Sequence, residues 1–346
     1  IRDRGDMVKV GTKIAEPAGF VSAAIHSSVS GKVAKIDTIV DASGYAKPAI
    51  FIDVEGDEWE ETIDRSATLV KECELPAEEI VKKIADAGIV GLGGACFPTQ
   101  VKLCPPPSFK AECVIINAVE CEPYITADYR SVMDDAKDLV TGAKIMKKMA
   151  EAKTVYICIK ESHPDLIEKV KSVLTDAAGV EVRPVPDVYP MGWERVLVRE
   201  VLHKEYGGLP AEAGAIIGNA SSAIAIAKAF EKGEAITQKN LTVSGECVKD
   251  PHNVCVPVGM PVSEIIEACG GYTQDTVRLI SGGPMMGKTI VNDMFVVDRA
   301  MNALTVLPAA NDDAIACLRC GKCSDHCPSG LQPVSCLLYT SPSPRD

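Results

Sequence analysis

Gly91-Leu92-Gly93-Gly94-Ala95-Cys96-Phe97-Pro98-Thr99-Gln100-Val101-Lys102 lies between a helical pattern and an apolar strand pattern. Three of its first four residues are glycine, so the backbone can approach a ligand closely and turn several N–H groups toward it. Thr99 adds a hydroxyl and Lys102 a cation, while Phe97-Pro98 stiffens the exit and offers an apolar face. A phosphate attached to a flat aromatic ring needs those groups. The stretch matches neither G-x-G-x-x-G nor the P-loop pattern, and a tight turn would use the same glycines.

The flanking segments set the fold class. Pro76 to Ala87 predicts a helix, with proline in its first turn, Glu78 and Glu79 near its start and Gly88 just past its end. Val114-Ile115-Ile116 predicts a short, fully apolar strand. A helix follows over Asp134–Ala152, with Leu139, Ala143, Ile145 and Met146 inward. Next come a strand over Thr154–Ile159, a helix over Pro164–Ala178 and a strand over Val180–Val185, then helices over Glu194–Lys204 and Ser221–Lys232. The alternation predicts a parallel α/β sheet over 71–235. Gly214 to Phe230 is apolar but short and interrupted by Asn219 and Lys228, so it reads as strand, turn and helix, not as a membrane span.

Upstream, residues 1–70 predict a small all-β unit, with strands at Met7–Gly11, Gly19–Val21, Val29–Val33 and Ile50–Val54. Its Val-Ser-Gly-Lys-Val run resembles the barrel-sandwich folds of lipoyl and biotinyl carrier domains. His26-Ser27-Ser28 stands where the modified lysine of those domains would be, which favours a structural role over a functional His26. Downstream, over 236–310, strands at Leu241–Val248 and Val254–Val258 flank an Asp250–Asn253 turn. A helix over Val262–Cys269 and a strand over Val277–Ser281 follow. That order resembles a β-grasp unit. Gly282-Gly283-Pro284-Met285-Met286-Gly287 reads as a tight turn, with a ligand loop as the alternative.

The 346 residues carry a net charge of −12 and no basic face, which argues against nucleic-acid binding. No signal peptide or membrane-spanning pattern is visible. Cys113 and Cys158 lie singly in apolar runs, where cysteine acts as a small hydrophobe. The clustered cysteines have metal spacing, which points to a reducing cytoplasm.

Cys317-Leu318-Arg319-Cys320-Gly321-Lys322-Cys323-Ser324-Asp325-His326-Cys327-Pro328 has the C-x2-C-x2-C-x3-C-P spacing of bacterial ferredoxins. There three thiolates hold one [4Fe–4S] cluster and the fourth ligates another. A zinc site would pair C-x2-C units or add histidine. Cys317, Cys320, Cys323 and Cys327 are the candidate metal ligands; only Cys336 lies beyond them, too few for two clusters. With Ile1 in place of an initiating Met, and Leu337–Asp346 continuing no pattern, 311–346 reads as a truncated iron–sulfur segment.

Asn117-Ala118-Val119-Glu120-Cys121-Glu122-Pro123-Tyr124-Ile125-Thr126-Ala127-Asp128-Tyr129-Arg130 starts where the first α/β strand ends, the usual ligand position in an open sheet. Asn117 can bond a ring edge, and Glu120, Glu122 and Asp128 can accept from ribityl or ribose hydroxyls. A solvated acidic loop is the plainer alternative.

Together, Gly91–Lys102, Asn117–Arg130 and Cys317–Pro328 resemble the C-subunit family of Rnf-type ion-translocating ferredoxin:NAD oxidoreductases. The chain is more distantly similar to the flavin-binding subunit of respiratory complex I. Lys13-Ile14-Ala15-Glu16-Pro17 and Ile25–Gly31 fit the N-terminal region of the Rnf-type family. The resemblance implies a multidomain α/β protein. Its parts would be a barrel-sandwich hybrid, a Rossmann-like FMN/NADH domain, an SLBB-like β-grasp domain and a ferredoxin-like iron–sulfur segment. It implies noncovalent FMN at Gly91, Gly93, Gly94 and Lys102, with Thr99 beside them. Asn117 and the catalytic carboxylates Glu120 and Glu122 would line the flavin and nicotinamide side. Glu194 falls at the family's Gly-Glu step, preceded by Trp193 where a small residue is usual, and Asn219 falls in a loop near the flavin phosphate. NAD(H) and [4Fe–4S] clusters complete the implied cofactors. The implied partners are ferredoxin, other electron-carrier subunits and membrane subunits of the complex, on the cytoplasmic face of the membrane. A microcompartment cobalamin reductase of the same family, or a non-catalytic electron-transfer or ligand-binding module, would share several of these motifs.

Overall fold

A computed structural model describes residues 2–66, 73–106, 108–174, 177–309, 316–327 and 330–335. The chain divides into two units, Ile1–Ala309 and Ala310–Asp346. The first begins with β1 (Met7–Val8), β2 (Lys13–Ala15), β3 (Ile25–His26), β4 (Gly31–Val40) and β5 (Ala46–Val54). β4 and β5 form a long antiparallel ribbon with β1 on its edge, and β2 pairs with β3. Val8, Ile14 and Val33 fill the small core between them. The strand expected at Gly19–Val21 is not formed. Those residues lie in the loop that joins the paired strands β2 and β3, where they find no ladder partner, and Phe20 and Val21 are exposed. The expected boundary at Val70 lies outside the described residues.

The central region runs α1 (Ala77–Asp86), α2 (Thr99–Leu103), β6 (Cys113–Ala118), α3 (Ala127–Asp134), α4 (Ala136–Met149), β7 (Thr154–Lys160), α5 (Pro164–Ser172), β8 (Val180–Val185), α6 (Glu194–Leu202), β9 (Ala215–Asn219) and α7 (Ala220–Lys232). The four strands form one parallel sheet in the order β8-β7-β6-β9. Alternation along β6 divides its side chains between two layers. Val114 and Ile116 join the core built with α1, α4, α5 and α7, and Cys113 and Ile115 join the core built with α6. Cys113 and Cys158 are buried as expected, and burial pushes their thiols up to about 11 and about 12. Gly142 of α4 brings that helix against α7, since a Cβ there would stand 1.9 Å from the Ala223 carbonyl oxygen. The helix expected over Asp134–Ala152 begins at Ala136, and a separate α3 precedes it. Nothing in α3's own sequence caps it; the Glu120 carboxylate, from the preceding loop, accepts from the Asp128 and Tyr129 N–H groups.

The third region runs β10 (Gln238–Ser244), β11 (His252–Pro257), α8 (Val262–Ala268), β12 (Val277–Ser281), β13 (Lys288–Ile290) and β14 (Ala303–Pro308). Its sheet has the order β11-β10-β14-β12-β13, with β10 and β14 parallel at its centre. β13 and β14 go beyond the expected two strands, helix and strand. β13 is too short for alternation to register, and β14 takes its place by pairing with both β10 and β12. β10 starts earlier than expected and stops at Ser244. Gly245, at φ +109°, lies so close to β14 that a Cβ would stand 2.1 Å from the Val306 carbonyl oxygen. The connecting turn therefore begins at Gly245, and His252 and Asn253 belong to β11. No helix among the described residues is long and apolar enough to cross a membrane.

Candidate functional site

The glycine loop lies against the carboxyl end of β9, the sheet neighbour of β6, and the first turn of α7, the edge at which open α/β sheets bind ligands. The Cys96 N–H donates to the Gly91 carbonyl at 2.9 Å and the Gly91 N–H to the Phe97 carbonyl at 2.8 Å, closing the loop at its base. At its tip Gly93, Gly94 and Ala95 are exposed, and among the described residues their N–H groups donate to no protein acceptor. Gly93 has no room for a side chain: a Cβ would lie 2.7 Å from Asn219 Nδ2. Gly94, at φ +110°, adopts a conformation L side chains rarely take. Three consecutive unpaired amides beside a helix N-terminus suit an anion. Thr99 is buried at the start of α2, behind this tip.

Asn219 caps α7 by accepting from the Ser222 N–H at 3.3 Å, and its Nδ2 donates to Asp128 Oδ2 at 2.6 Å. The other Asp128 oxygen accepts from Ser221 Oγ at 2.6 Å. Glu120 is half-buried, but its carboxylate lies deep. Burial first, and the negative charge of Asp128 second, hold it well above the usual carboxylate range. Glu122 turns the other way. Its Oε1 accepts from the Met285 and Met286 N–H groups at 3.2 and 2.7 Å, while its buried Oε2 has no partner among the described residues. The Gly282–Gly287 turn thus reaches the site, packed so closely that a Cβ on Gly283 would stand 2.6 Å from Glu122 Cδ.

Asn117 Oδ1 accepts from the Val119 N–H at 3.0 Å, and its Nδ2 donates to the Gly192 carbonyl at 2.8 Å. This holds the 189–193 loop, with its half-exposed Tyr189 and Trp193, beside the end of β6. Lys102 and Glu194, both expected to touch cofactor, form an ion pair with each other. So the candidates split into a glycine tip on Asn219 and Asp128, a carboxylate pair facing opposite ways, and the Lys102–Glu194 pair. A cavity of about 150 Å³ behind the loop, lined by Leu92, Ser221, Lys228 and Lys239 among others, is smaller than the roughly 300 Å³ of small ligand pockets. That cavity is too small for a flavin.

Lys239 is not marked by any motif, and neither are the contacts that Ser222 and Gly283 make. Lys239 did leave a signal: it shares the inward phase of β10 with Leu241 and Val243, and all three are buried. The partners of Ser222 and Gly283 leave none, because they are distant in the chain.

In the second unit, α9 (Lys322–Asp325) follows Gly321. Cys317, Cys320 and Cys323 are exposed and Cys327 is half-buried. Among the described residues no three His, Cys, Asp or Glu side chains are gathered closely enough to hold a metal. The spacing fits a cluster and the present arrangement of the thiols does not. Pro328, Cys336 and Leu337–Asp346 lie outside the described residues.

The Nuo51 FMN-binding domain family matches residues 84–228, the SLBB domain family 240–289 and the RnfC barrel sandwich hybrid domain family 1–57. The C subunit of the proton-translocating ferredoxin:NAD(+) oxidoreductase complex of Clostridium ljungdahlii is 39% identical, over 95% of this chain and 73% of its own length. The C subunit of the Na(+)-translocating complex of Acetobacterium woodii is 36% identical, over 97% of this chain and 77% of its own. A chain of an NAD+-reducing [NiFe]-hydrogenase superposes with a TM-score of 0.53 at 17% identity, covering 67% of this chain and 47% of that one, a likeness of fold. Three domain families matched in order, on a scaffold that bares the glycine amides at the sheet's ligand edge, place this chain in the C-subunit family of ion-translocating ferredoxin:NAD(+) oxidoreductases.

Proposed function

We propose that the chain binds FMN on the glycine tip and, as the peripheral C subunit of a membrane-bound ion-translocating complex, passes electrons between NAD(H) and iron–sulfur carriers, coupled to ferredoxin oxidation. The observation that carries this is the run of unpaired N–H groups at the exposed residues Gly93, Gly94 and Ala95, next to α7 and the end of β9. A bound flavin supplies the exchange between two-electron hydride chemistry and one-electron transfer. The tip amides would hold its phosphate, with Lys102 swinging from Glu194 to add charge. Asn117, fixed by Gly192, would present its edge of the pocket to the ring. Glu120, kept protonated by burial near neutral pH, would donate a hydrogen bond; Glu122 would hold the Gly282–Gly287 turn in place. Glu194, released by Lys102, would accept from ribose hydroxyls of the dinucleotide, with Tyr189 and Trp193 offering stacking faces.

The names of the relatives support ferredoxin and NAD(+) as reactants and further subunits of a translocating complex as partners; the membrane subunits and the cytoplasmic face are part of the proposal. Residues 1–70, 71–235, 236–310 and 311–346 serve as the working domains. Cys317, Cys320, Cys323 and Cys327 are assigned to [4Fe–4S] ligation on spacing alone, since ligation and local folding are coupled in such segments. The test is reconstitution of the purified chain with FMN. Micromolar binding, with a perturbed flavin spectrum and reduction by NADH, is expected; a folded chain that binds no FMN refutes the reading.

A further inference from the structure

We infer that Lys239, on the first strand of the β-grasp region, is a positioning residue for the flavin phosphate, acting through the Leu92 peptide of the glycine loop. The inference rests on the FMN reading above and assigns a residue to it from a different part of the chain.

Lys239 Nζ donates to the Leu92 carbonyl at 2.7 Å, and the lysine is 4% exposed. The Leu92 N–H in turn donates to Ser222 Oγ at 3.0 Å. Leu92 is thus held from the protein interior at both of its backbone polar groups. A trans peptide points its C=O and the next N–H in opposite directions. With the Leu92 carbonyl drawn toward Lys239, the Gly93 N–H is turned away from the interior, toward the exposed tip. That N–H is the first of the three unpaired amides.

β10 is firmly placed for this task. Asn240 Nδ2 donates to Ser131 Oγ at 2.9 Å and the Thr126 N–H to Thr242 Oγ1 at 3.0 Å, so two residues on the strand's other face grip α3 and its entry. A buried ammonium is costly unless something compensates it. Here a neutral carbonyl is its hydrogen-bond acceptor, and Asp128, the carboxylate that acts on it most, also serves Asn219 and Ser221. Burial drives the lysine toward its neutral form while the Asp128 charge opposes the shift. A dianionic phosphate on the tip would add further compensating charge.

The test measures FMN and riboflavin binding to apo-protein for wild type and Lys239→Met. Methionine keeps the length and apolar stem but neither charge nor donor. Loss of one charge-assisted hydrogen bond corresponds to about tenfold or more in affinity. FMN affinity is expected to fall by at least about that factor, with riboflavin, which lacks the phosphate, unchanged. Equal losses for both flavins, or an unchanged FMN affinity, overturn the assignment. Should Lys239→Met not fold, Lys239→Gln, whose shorter neutral side chain falls short of Leu92, is held to the same two outcomes. A wild-type chain that binds neither flavin refutes the FMN reading itself; a wild type that binds FMN beside a variant that binds it equally well refutes only the role of Lys239.

Discussion

Gly93→Ala isolates the packing under the tip. The new Cβ would stand 2.7 Å from Asn219 Nδ2 and 3.2 Å from its Cγ, but an ordinary 3.6 Å from its Cβ. The amide cannot simply swing aside, because Nδ2 is bonded to Asp128 and Oδ1 caps α7. Displacing it forfeits a hydrogen bond to a charged group, about 1.5–3 kcal/mol, and an N-cap, about 1 kcal/mol. A destabilisation of about 2–4 kcal/mol is expected, read from urea unfolding followed by far-ultraviolet circular dichroism. The same substitution in an Asn219→Ala background meets only a Cβ at contact distance and should cost less than about 0.5 kcal/mol. A double-mutant cycle therefore gives a coupling of about 2 kcal/mol or more. If Gly93→Ala costs the same in both backgrounds, the Asn219 contact is not what excludes a side chain, and the account of the tip fails.

Lys102→Ala removes an ion pair whose side chains are 30% and 36% exposed, so stability should change by less than about 1 kcal/mol. FMN affinity, measured by fluorescence quenching, should fall about tenfold or more, and an unchanged affinity would remove Lys102 from the phosphate site. Gly142→Ala drives a methyl into the Ala223 carbonyl and must part α4 from α7. A loss of about 3 kcal/mol or more is expected in urea unfolding, and a loss under about 1 kcal/mol would contradict the close helix crossing. His26 is held from its usual 6.5 down to about 4, by burial first and then by the Lys13 and Arg299 cations, and its Nδ1 has no partner among the described residues. The unfolded chain takes up that proton below pH 6.5 and the folded chain resists it. Stability is therefore full above pH 6.5 and declines as the pH falls toward 4, by on the order of 3 kcal/mol. His26→Gln should flatten that decline, and an unchanged acid limb would show that other groups set it.

Local pattern made most of the central region legible. Strand and helix periods over 113–232 predicted a parallel sheet, and β12 formed over the expected residues. The expected strand at Gly19–Val21 failed because β-propensity without a ladder partner does not make a strand. α3 went unread because its cap, Glu120, lies outside the helix. The site divided in the same way. The glycine tip and the acidic loop are visible as composition, but the pairing of Lys102 with Glu194 is not, since the two lie 92 positions apart and each alone suits a cofactor.

What the amino-acid order by itself determined is whatever a short window can encode: the helix and strand periods, the glycine-rich loop and the ferredoxin-like cysteine spacing. Tertiary structure alone decided which distant groups meet. Lys239 reaches Leu92 across 147 positions, and Glu122 reaches Met286 across 164. The reason is physical. Periodicity reports which face of an element turns inward, but the partner it finds there depends on how separate layers pack, and no local stretch contains that information.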